Sequence, residues 1–301
     1  MEGVMMRGSR AMAVAVRAPD QTIVIHEEPI TSALYNGVWS RVPFVRGLGL
    51  LWDSLGLGTR ALMYSAKVAV GDEAEFSGPI AWGTMAVSMA FFVGLFFLAP
   101  RLAAEAIQYG LTVVGGAPLT SWVTLPVVSN VTEGLIRLAL VIGYIWLIGR
   151  LSEIQRVFAY HGAEHKTINA YEDGAPLTPE SVARYPLAHP RCGTGFLLIV
   201  VVISVLVFSL IGNPALIIRL TARIVLVPVI ATIAYEYIRF MARHLESPLV
   251  RILIAPQLAL QRLTTREPST DMLEVSIAAL QRVLEAERLP VAGIIAQPVE
   301  T

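Results

Sequence analysis

The stretch GTGFLLIVVVISVLVFSLIG, residues 193–212, contains twenty residues without a charge and is rich in Val, Ile and Leu. A helix of twenty residues is about 30 Å long, which matches the hydrocarbon thickness of a bilayer. The sequence therefore predicts that this stretch crosses a membrane.

Three other segments have the length and apolar character for the same role: residues 80–99, 131–149 and 215–240. Across the whole chain, 55% of the residues are hydrophobic and 15% are charged, whereas a soluble domain has roughly 25% charged residues. We predict a mainly α-helical, polytopic membrane protein with about four transmembrane helices and the lipid bilayer as its environment. The formal net charge of zero gives no indication of a nucleic-acid partner.

Two details of the spans carry separate predictions. We expect the first span to end at Pro100, and we expect Glu133 and Arg137 of the second span to neutralise each other as an i,i+4 pair. Residues 106–132 are uncharged but contain several glycines, Pro118 and hydroxyls. We interpret them as an interfacial or re-entrant connection rather than a span.

The remaining chain divides into segments that we interpret as follows. Residues 1–30 form a β-hairpin segment, with strands at residues 11–17 and 21–27, and residues 31–78 form an amphipathic interfacial helical region. An ordinary helix packed on the protein explains residues 36–70 equally well. Residues 79–250 form the membrane domain, including a motif loop at 150–192, and residues 251–301 form a soluble tail. In that tail Leu273, Ile277, Leu280 and Leu284 predict one buried helix face.

The distribution of basic residues predicts the orientation. Arginines and lysines are concentrated in the motif loop and after the last span, whereas the connection after the first span has only Arg101. The positive-inside bias therefore predicts a cytoplasmic (inner) membrane protein with both termini and the motif loop in the cytoplasm.

The motif loop contains His161-Gly162-Ala163-Glu164-His165, which we expect within a helix from 152 to 173 that begins with a capping box of Ser152 and Gln155. In a helix the two histidines share one face, where they can ligate one divalent metal, and Glu164 can act as general base. The alternative is a set of surface polar residues. Gly162 costs about 1 kcal/mol relative to Ala inside a helix, which predicts a packing purpose.

A catalytic zinc site needs a third protein ligand. The candidates are His189 and Cys192 in HPRCG, residues 189–193, where Cys192 precedes a span whose helix N-terminus would favour thiolate. Glu172 and Glu236 are oxygen-ligand alternatives. Cys192 can equally be a small buried residue, and an ion pair with Arg239 explains Glu236 somewhat better.

Several long motifs occur in order: FAYHGAEHKTINAYEDG at 158–174, HPRCGTGFLLIVVVISVLVFSL at 189–210, LQRLTTREP at 260–268 and LEVSIAAL at 273–280, with EGVMMRG at 2–8 and VPFVRG at 42–47. Together they resemble the bacterial YqhQ-type family of multi-pass membrane proteins, whose members are often labelled metal-dependent enzymes. The resemblance implies that His161, Glu164, His165, His189 and Cys192 are motif positions. The family's N-terminal motif usually begins a few residues upstream of EGVMMRG, so we expect that this chain starts late.

The combined expectation is an integral membrane metal-dependent enzyme, hydrolytic and with zinc as the favoured divalent metal. His161 and His165 would bind the metal, His189 or Cys192 would complete the site, and Glu164 would activate water. The alternative is a non-enzymatic membrane scaffold or assembly factor with a structural metal or purely structural histidines. A membrane-protein partner and a homo-oligomer remain open.

Overall fold

The computed structural model describes residues 2–30, 42–70, 79–123, 125–211 and 216–288. In chain order the elements are β1 (Gly3–Arg7), β2 (Ala11–Arg17), β3 (Ile23–Pro29), α1 (Val45–Val70), α2 (Pro79–Val93), a π-helical turn (Gly94–Leu98), α3 (Ala99–Val123), α4 (Pro126–Ile148), α5 (Ser152–Glu172), α6 (Pro179–Val182), α7 (Thr194–Ile211), α8 (Leu216–Arg243), α9 (Pro248–Thr264) and α10 (Thr270–Glu287). They fall into two compact units. The first contains residues 1–74, 148–190 and 258–301, and the second contains residues 75–147 and 191–257.

The second unit carries the membrane-spanning candidates. Four helical segments are long and apolar enough to cross a bilayer: Trp82–Val114, Pro126–Ile148, Thr194–Ile211 and Val225–Arg243. Large apolar side chains lie on their outer surface, including Phe91, Leu206 and Leu210. A soluble protein rarely exposes such contiguous apolar surface, whereas lipid contact requires it. The predicted fold class, mainly helical with four candidate spans, is confirmed.

The predicted end of the first span at Pro100 is wrong. The helical path continues from α2 through the π-turn into α3, and the Ala99 N–H donates to the carbonyl of Gly94, five residues back. Pro100 has no N–H to donate to the carbonyl of Phe96, four residues before it. That carbonyl instead accepts a 3.0 Å hydrogen bond from Nε of Arg137. A widened turn and a donor from α4 thus let the helix continue through proline.

The stretch at residues 106–132, predicted as an interfacial or re-entrant connection rather than a span, is mostly helical, and its position relative to the bilayer stays a prediction. The helix α3 continues to Val123, and α4 begins at Pro126. Glycines lower helix propensity by about 1 kcal/mol each, which a continuous hydrogen-bonded backbone in apolar surroundings offsets. The predicted pair in α4 is confirmed, because Arg137 Nη2 lies 2.6 Å from Glu133 Oε1.

The first unit is built on a three-stranded antiparallel sheet in the order β1-β2-β3. The predicted hairpin is confirmed as β2 and β3, and β1 adds a strand that the sequence analysis did not predict. The central strand β2 is buried on both faces. Ala13 and Ala15 face one core with α5 and α10, and Met12, Val14 and Val16 pack with Leu57 and Ala61 of α1.

The helix α1 has one packed face and one exposed face. Leu57 is buried against β2, whereas Leu62 and Met63 are more than half exposed. The first part of the predicted amphipathic region, residues 31–41, and its last part, residues 71–78, lie outside the described residues. In the described part, the interpretation as a packed helix explains the buried Leu57. The exposed Leu62 and Met63 fit contact with a membrane surface or with another apolar surface.

The tail helix α10 confirms its predicted buried face. Leu273, Ile277, Leu280 and Leu284 are all buried in the core shared with β1, β2 and α5. The preceding helix α9, which contains Pro256, was not predicted from the sequence. The packing of α10 on the sheet and on α5 fixes the helix that carries the histidine motif.

Candidate metal centre

The helix α5 covers the predicted motif. It spans Ser152–Glu172 and ends at Asp173, followed by Gly174 with φ of +73°. The predicted capping box at its start is wrong, because the N-cap residue is Leu151 and its side chain makes no capping hydrogen bond. Gln155 instead donates its side-chain amide to the carbonyl of Arg150.

His161 and His165 lie on the same face of α5. Their ring centroids are 4.4 Å apart, and a ring nitrogen of one lies within 4.8 Å of a ring nitrogen of the other. His165 is 2% exposed, and His161 is half-buried. Two imidazole nitrogens at this separation can bind one divalent metal ion between them.

Both imidazoles are oriented by backbone carbonyls. His161 Nδ1 lies 2.9 Å from the carbonyl of Thr264, and His165 Nδ1 lies 2.5 Å from the carbonyl of Leu187. A carbonyl oxygen only accepts, so each Nδ1 carries the proton. In the neutral ring Nε2 then carries the lone pair, which is the usual arrangement of a metal-binding histidine.

The segment 264–267 crosses α5 and supplies the carbonyl that holds His161. The Arg266 N–H donates to the carbonyl of Phe158 at 2.9 Å. A Cβ on Gly162 would lie 2.1 Å from the Arg266 carbonyl, so glycine is required for this close approach. Lys166, one turn after Gly162, contacts the same segment, because its Nζ lies 2.6 Å from a carboxylate oxygen of Glu267. The packing purpose predicted for Gly162 is confirmed.

A second segment, residues 183–190, supplies the carbonyl that holds His165. Asn169 donates its amide to the carbonyls of Pro186 and Ala188, and Lys166 donates to the carbonyl of Ala183. These three bonds attach the segment to Lys166 and Asn169 of α5. Two of the accepting residues, Pro186 and Ala188, flank Leu187, whose carbonyl contacts Nδ1 of His165.

His189 is held at its backbone by Gln261 of α9. The His189 N–H donates to Oε1 of Gln261 at 3.0 Å, and Nε2 of Gln261 donates to the carbonyl of His189 at 2.8 Å. Gln261 is 1% exposed and His189 is 5% exposed. This reciprocal amide contact positions the predicted third ligand beside the motif helix.

The His189 ring lies next to the histidine pair but faces an acid. Its centroid is 5.8 Å from that of His165, and its Nε2 lies 3.6 Å from Oε2 of Glu172. The structure therefore brings together four of the predicted site residues: His161, His165, His189 and Glu172. Metal binding by His189 or Glu172 stays a prediction.

Glu164, the predicted general base, is half-buried on α5. Burial raises the pKa of its carboxyl above the ordinary value of 4.5, and the nearby His161 opposes this rise. Buried carboxyls with a raised pKa are common among catalytic acids and bases. This property fits a general acid or base.

Cys192 and Glu236 belong to the second unit. Cys192 is buried just before α7, where its Sγ lies 3.2 Å from Oγ1 of Thr194 and accepts from the Thr194 N–H at 3.5 Å. Glu236 is half-buried on α8. Their role as metal ligands stays a prediction.

Gln261 and the carbonyls of Thr264 and Leu187 were not predicted from the sequence. The sequence does contain a signal for Gln261, because Gln257 and Gln261 are four residues apart in a mostly apolar segment; in the structure both are 1% exposed. Buried amides require partners. No sequence signal identifies a particular backbone carbonyl as a histidine partner.

Four apolar helices are consistent with a multi-pass membrane protein, and the histidines at and beside α5 form a candidate metal site. The chain matches, over residues 42–286, the model of the family described as "Protein of unknown function (DUF1385)". It belongs to that family. It is similar to the uncharacterized protein YqhQ of Bacillus subtilis (strain 168), with 30% identity over 303 residues that cover 96% of this chain and 92% of the relative. The resemblance seen in the motifs is thereby confirmed. No solved structure matches the chain.

Proposed function

We propose that the protein is a membrane-bound metal-dependent hydrolase in which His161 and His165 bind a divalent metal, with zinc as the favoured ion. The observation that supports this most directly is the pair of Nδ1 contacts to the carbonyls of Thr264 and Leu187. They commit both rings to the tautomer in which Nε2 carries the lone pair that a metal would bind. Imidazole ligands favour zinc over calcium or magnesium, which prefer oxygen ligands.

A third ligand would come from the segment that follows. His189 is adjacent to His165 in space. Cys192 is three residues further along the chain, and three extended residues span at most about 11 Å. A thiolate is a strong zinc ligand, so Cys192 is our preferred third ligand, and Glu172 and Glu236 are the oxygen alternatives.

The chemistry would divide between the metal and the chain. A bound divalent metal supplies Lewis acidity that makes a coordinated water more acidic. Glu164 would accept the proton of that water and return it to the leaving group, and the Thr264 and Leu187 carbonyls would hold the two imidazoles in place.

The membrane location follows from the same reasoning. Four apolar helices support a multi-pass membrane protein, and the arginine distribution supports the cytoplasmic membrane with the motif loop and both termini on the cytoplasmic side. The metal site would then meet substrates from the cytoplasm.

Metal content of the purified full-length protein tests the metal proposal. We expect about one zinc per chain in the wild type and near-complete loss in the double variant His161→Ala/His165→Ala. His244→Ala is the matched control, because His244 is exposed and its Nδ1 contacts the carbonyl of Phe240 in its own helix. No stoichiometric metal in the wild type, or full retention in the double variant, would overturn the proposal.

Cobalt substitution tests the third ligand. Co²⁺ in the zinc site gives visible d–d absorption, and a thiolate ligand adds a sulfur-to-metal charge-transfer band. Loss of that band alone in Cys192→Ser supports cysteine ligation. Absence of the band in the wild type, with spectral change in His189→Ala, assigns the position to His189.

The second candidate function is a non-enzymatic membrane assembly factor with a closed structural zinc. The burial of both His165 and His189 favours it, because structural sites keep no open position. Glu164→Gln separates the two candidates. The hydrolase requires that this variant bind metal and lose the cellular function, whereas the assembly factor requires that it retain both.

A further inference from the structure

A pocket of about 810 Å³ lies among the candidate spans of the second unit. Its lining comes from α2, the π-helical turn, α4, α7 and α8, and the described lining contains no residue of the candidate metal centre. Voids in packed interiors are seldom larger than a water molecule, whereas ligand pockets have volumes of about 300–1,000 Å³. The size of this pocket is therefore that of a ligand site.

The described lining of the pocket is mostly hydrocarbon. Four of its residues are the phenylalanines of α2 and the π-helical turn: Phe91, Phe92, Phe96 and Phe97. Its charged residue is Arg137, which lies 2.6 Å from the carboxylate of Glu133 and donates to the carbonyl of Phe96. Because that charge is already paired, the surface that a ligand would meet is apolar, and an apolar ligand gains most from burial there.

The length of the pocket matches one leaflet of a bilayer. Along α7 the lining runs from Leu197 to Phe208, which is about 16 Å at the rise of an α-helix. Half of the hydrocarbon core of a bilayer is about 15 Å thick. A lipid acyl chain lies along this direction and fills this depth.

The contacts between α4 and α7 define the inner end of the pocket. Asn130 donates its side-chain amide to the carbonyl of Phe208 at 3.1 Å, and a Cβ on Gly134 would lie 2.1 Å from a methyl group of Val205. Beyond these contacts the two helices separate, and the pocket continues to Leu197. That residue lies three positions after the start of α7, so the pocket extends to one end of the span.

The pocket is accessible from the hydrocarbon side of the helices. Phe91 and Phe92 belong to its lining and are 62% and 50% exposed on the outer surface of the protein. A chain from the surrounding lipid can therefore enter sideways, while its headgroup stays at the bilayer surface. A flexible chain also adapts to a recess that five elements of one protein enclose, whereas a helix of a second copy is about 10–12 Å wide and rigid.

We propose that this pocket binds an acyl chain of a membrane phospholipid, with the chain along α7 and the headgroup beyond Leu197. The proposal goes beyond the hydrolase and uses no metal and no histidine. Loss of metal binding would leave it intact, and loss of lipid binding would leave the metal proposal intact.

The first experiment uses the wild type. Native mass spectrometry of the full-length protein in neutral detergent counts the bound phosphatidylcholine in a series of short, medium and long acyl chains. We expect affinity to rise with chain length and to level off once the chain fills the pocket. Phosphatidylglycerol with the same chains should bind equally well, because the headgroup lies outside the apolar lining.

The second experiment fills the pocket. Val201→Trp on α7 and Val141→Trp on α4 place a large ring in it from two different helices. The matched controls are Val202→Trp and Ile142→Trp, at the neighbouring positions, which are 47% and 36% exposed and are not part of the described lining. Thermal unfolding verifies that each variant is folded.

We expect the two filling variants to bind long-chain phosphatidylcholine at least about tenfold more weakly than the wild type, because several methylene groups lose their apolar contacts. Both controls should match the wild type. The proposal is overturned if the wild type binds no lipid, if its affinity depends on the headgroup and not on chain length, or if filling and control variants behave alike. A wild-type dimer that Val201→Trp dissociates would also overturn it, because a second copy would then occupy the pocket.

Discussion

At the scale of single residues, Gly162 decides whether the segment 264–267 can approach the motif helix. Its missing side chain leaves room for the Arg266 carbonyl, which a Cβ would meet at 2.1 Å. Gly162→Ala should lower the free energy of unfolding by about 1–3 kcal/mol, the usual cost of overpacking. It should also weaken zinc retention, because the Thr264 carbonyl on the same segment orients His161. Chemical denaturation and metal analysis of the same preparation measure both effects.

The matched control is Gly58→Ala. Gly58 lies in α1, and a Cβ there meets no atom within 4 Å. Alanine should stabilise that helix by up to about 1 kcal/mol and leave metal content unchanged. Equal effects of the two substitutions would contradict the steric explanation.

Gln261 is the residue whose loss should most disturb His189. Its amide satisfies both the N–H and the carbonyl of His189 in a buried position. Gln261→Leu should destabilise the protein by about 2–4 kcal/mol, because two buried backbone groups lose their partner. Gln261→Glu should cost at least as much at neutral pH, because it places a carboxylate in a 1% exposed position opposite the His189 carbonyl. Denaturation midpoints of the two variants rank them, and a Leu variant as stable as wild type would show that the contact contributes nothing.

The residues of the candidate site divide into those that the sequence could predict and those that it could not. His161 and His165 were predictable because helical spacing places them on one face, and Gly162 was predictable as an expensive residue with a steric purpose. The partners of the histidines were not predictable. Gln261 lies 72 positions from His189, and the Thr264 carbonyl lies 103 positions from His161, so only the tertiary fold brings them together.

At the scale of elements, the joint between α2 and α3 depends on α4. Arg137 donates to the carbonyl of Phe96 and pairs with Glu133, which has a side chain only 3% exposed. Arg137→Leu removes this partner from the buried carboxylate and should cost about 3–5 kcal/mol. The double variant Glu133→Gln/Arg137→Gln should cost less, because no charge stays buried beside a lost partner. Unfolding in mixed micelles compares them, and a larger loss in the double variant would refute the ion-pair account.

Glu2, the residue before β1, is hydrogen-bonded through its titratable carboxylate to the motif helix α5. Hydrogen bonds from Arg156 and Tyr160 of α5 lower the pKa of Glu2 below its ordinary value of 4.5, although burial opposes the shift. A lowered pKa means that the contact stabilises the fold above pH 4.5 and that this contribution disappears as the pH falls through the lower folded value. The loss should be less than about 1 kcal/mol, since Arg156 is 52% exposed. Denaturation at a series of pH values should show a shallower acid decline in Glu2→Gln than in wild type, and identical profiles would contradict the assignment.

The elements also show where sequence patterns fail. Long apolar segments and the heptad-like face of α10 were predictable because burial dictates them. Proline at 100 was an incorrect stop signal, because a π-turn and a donor from another helix replace the missing hydrogen bond. The strand β1 was missed because five residues are too short for a clear alternation, and its pairing with β2 is what defines it.

At the scale of the whole molecule, the sequence predicts the membrane topology, and cysteine labelling can test it. With four candidate spans, we expect the connection after Trp82–Val114 on the face opposite to the motif loop. The chain has one cysteine, so Cys192→Ser provides a background for single reporters. We choose Glu153→Cys at the exposed start of α5 and Ser121→Cys at the exposed end of α3.

A membrane-impermeant maleimide should label Ser121→Cys in intact cells and Glu153→Cys only in inverted vesicles. The basic residues that produce this bias act on the cytoplasmic side during insertion. Labelling of Glu153→Cys in intact cells would reverse the orientation and move the proposed metal site to the outer face, where the hydrolase would meet a different pool of substrates.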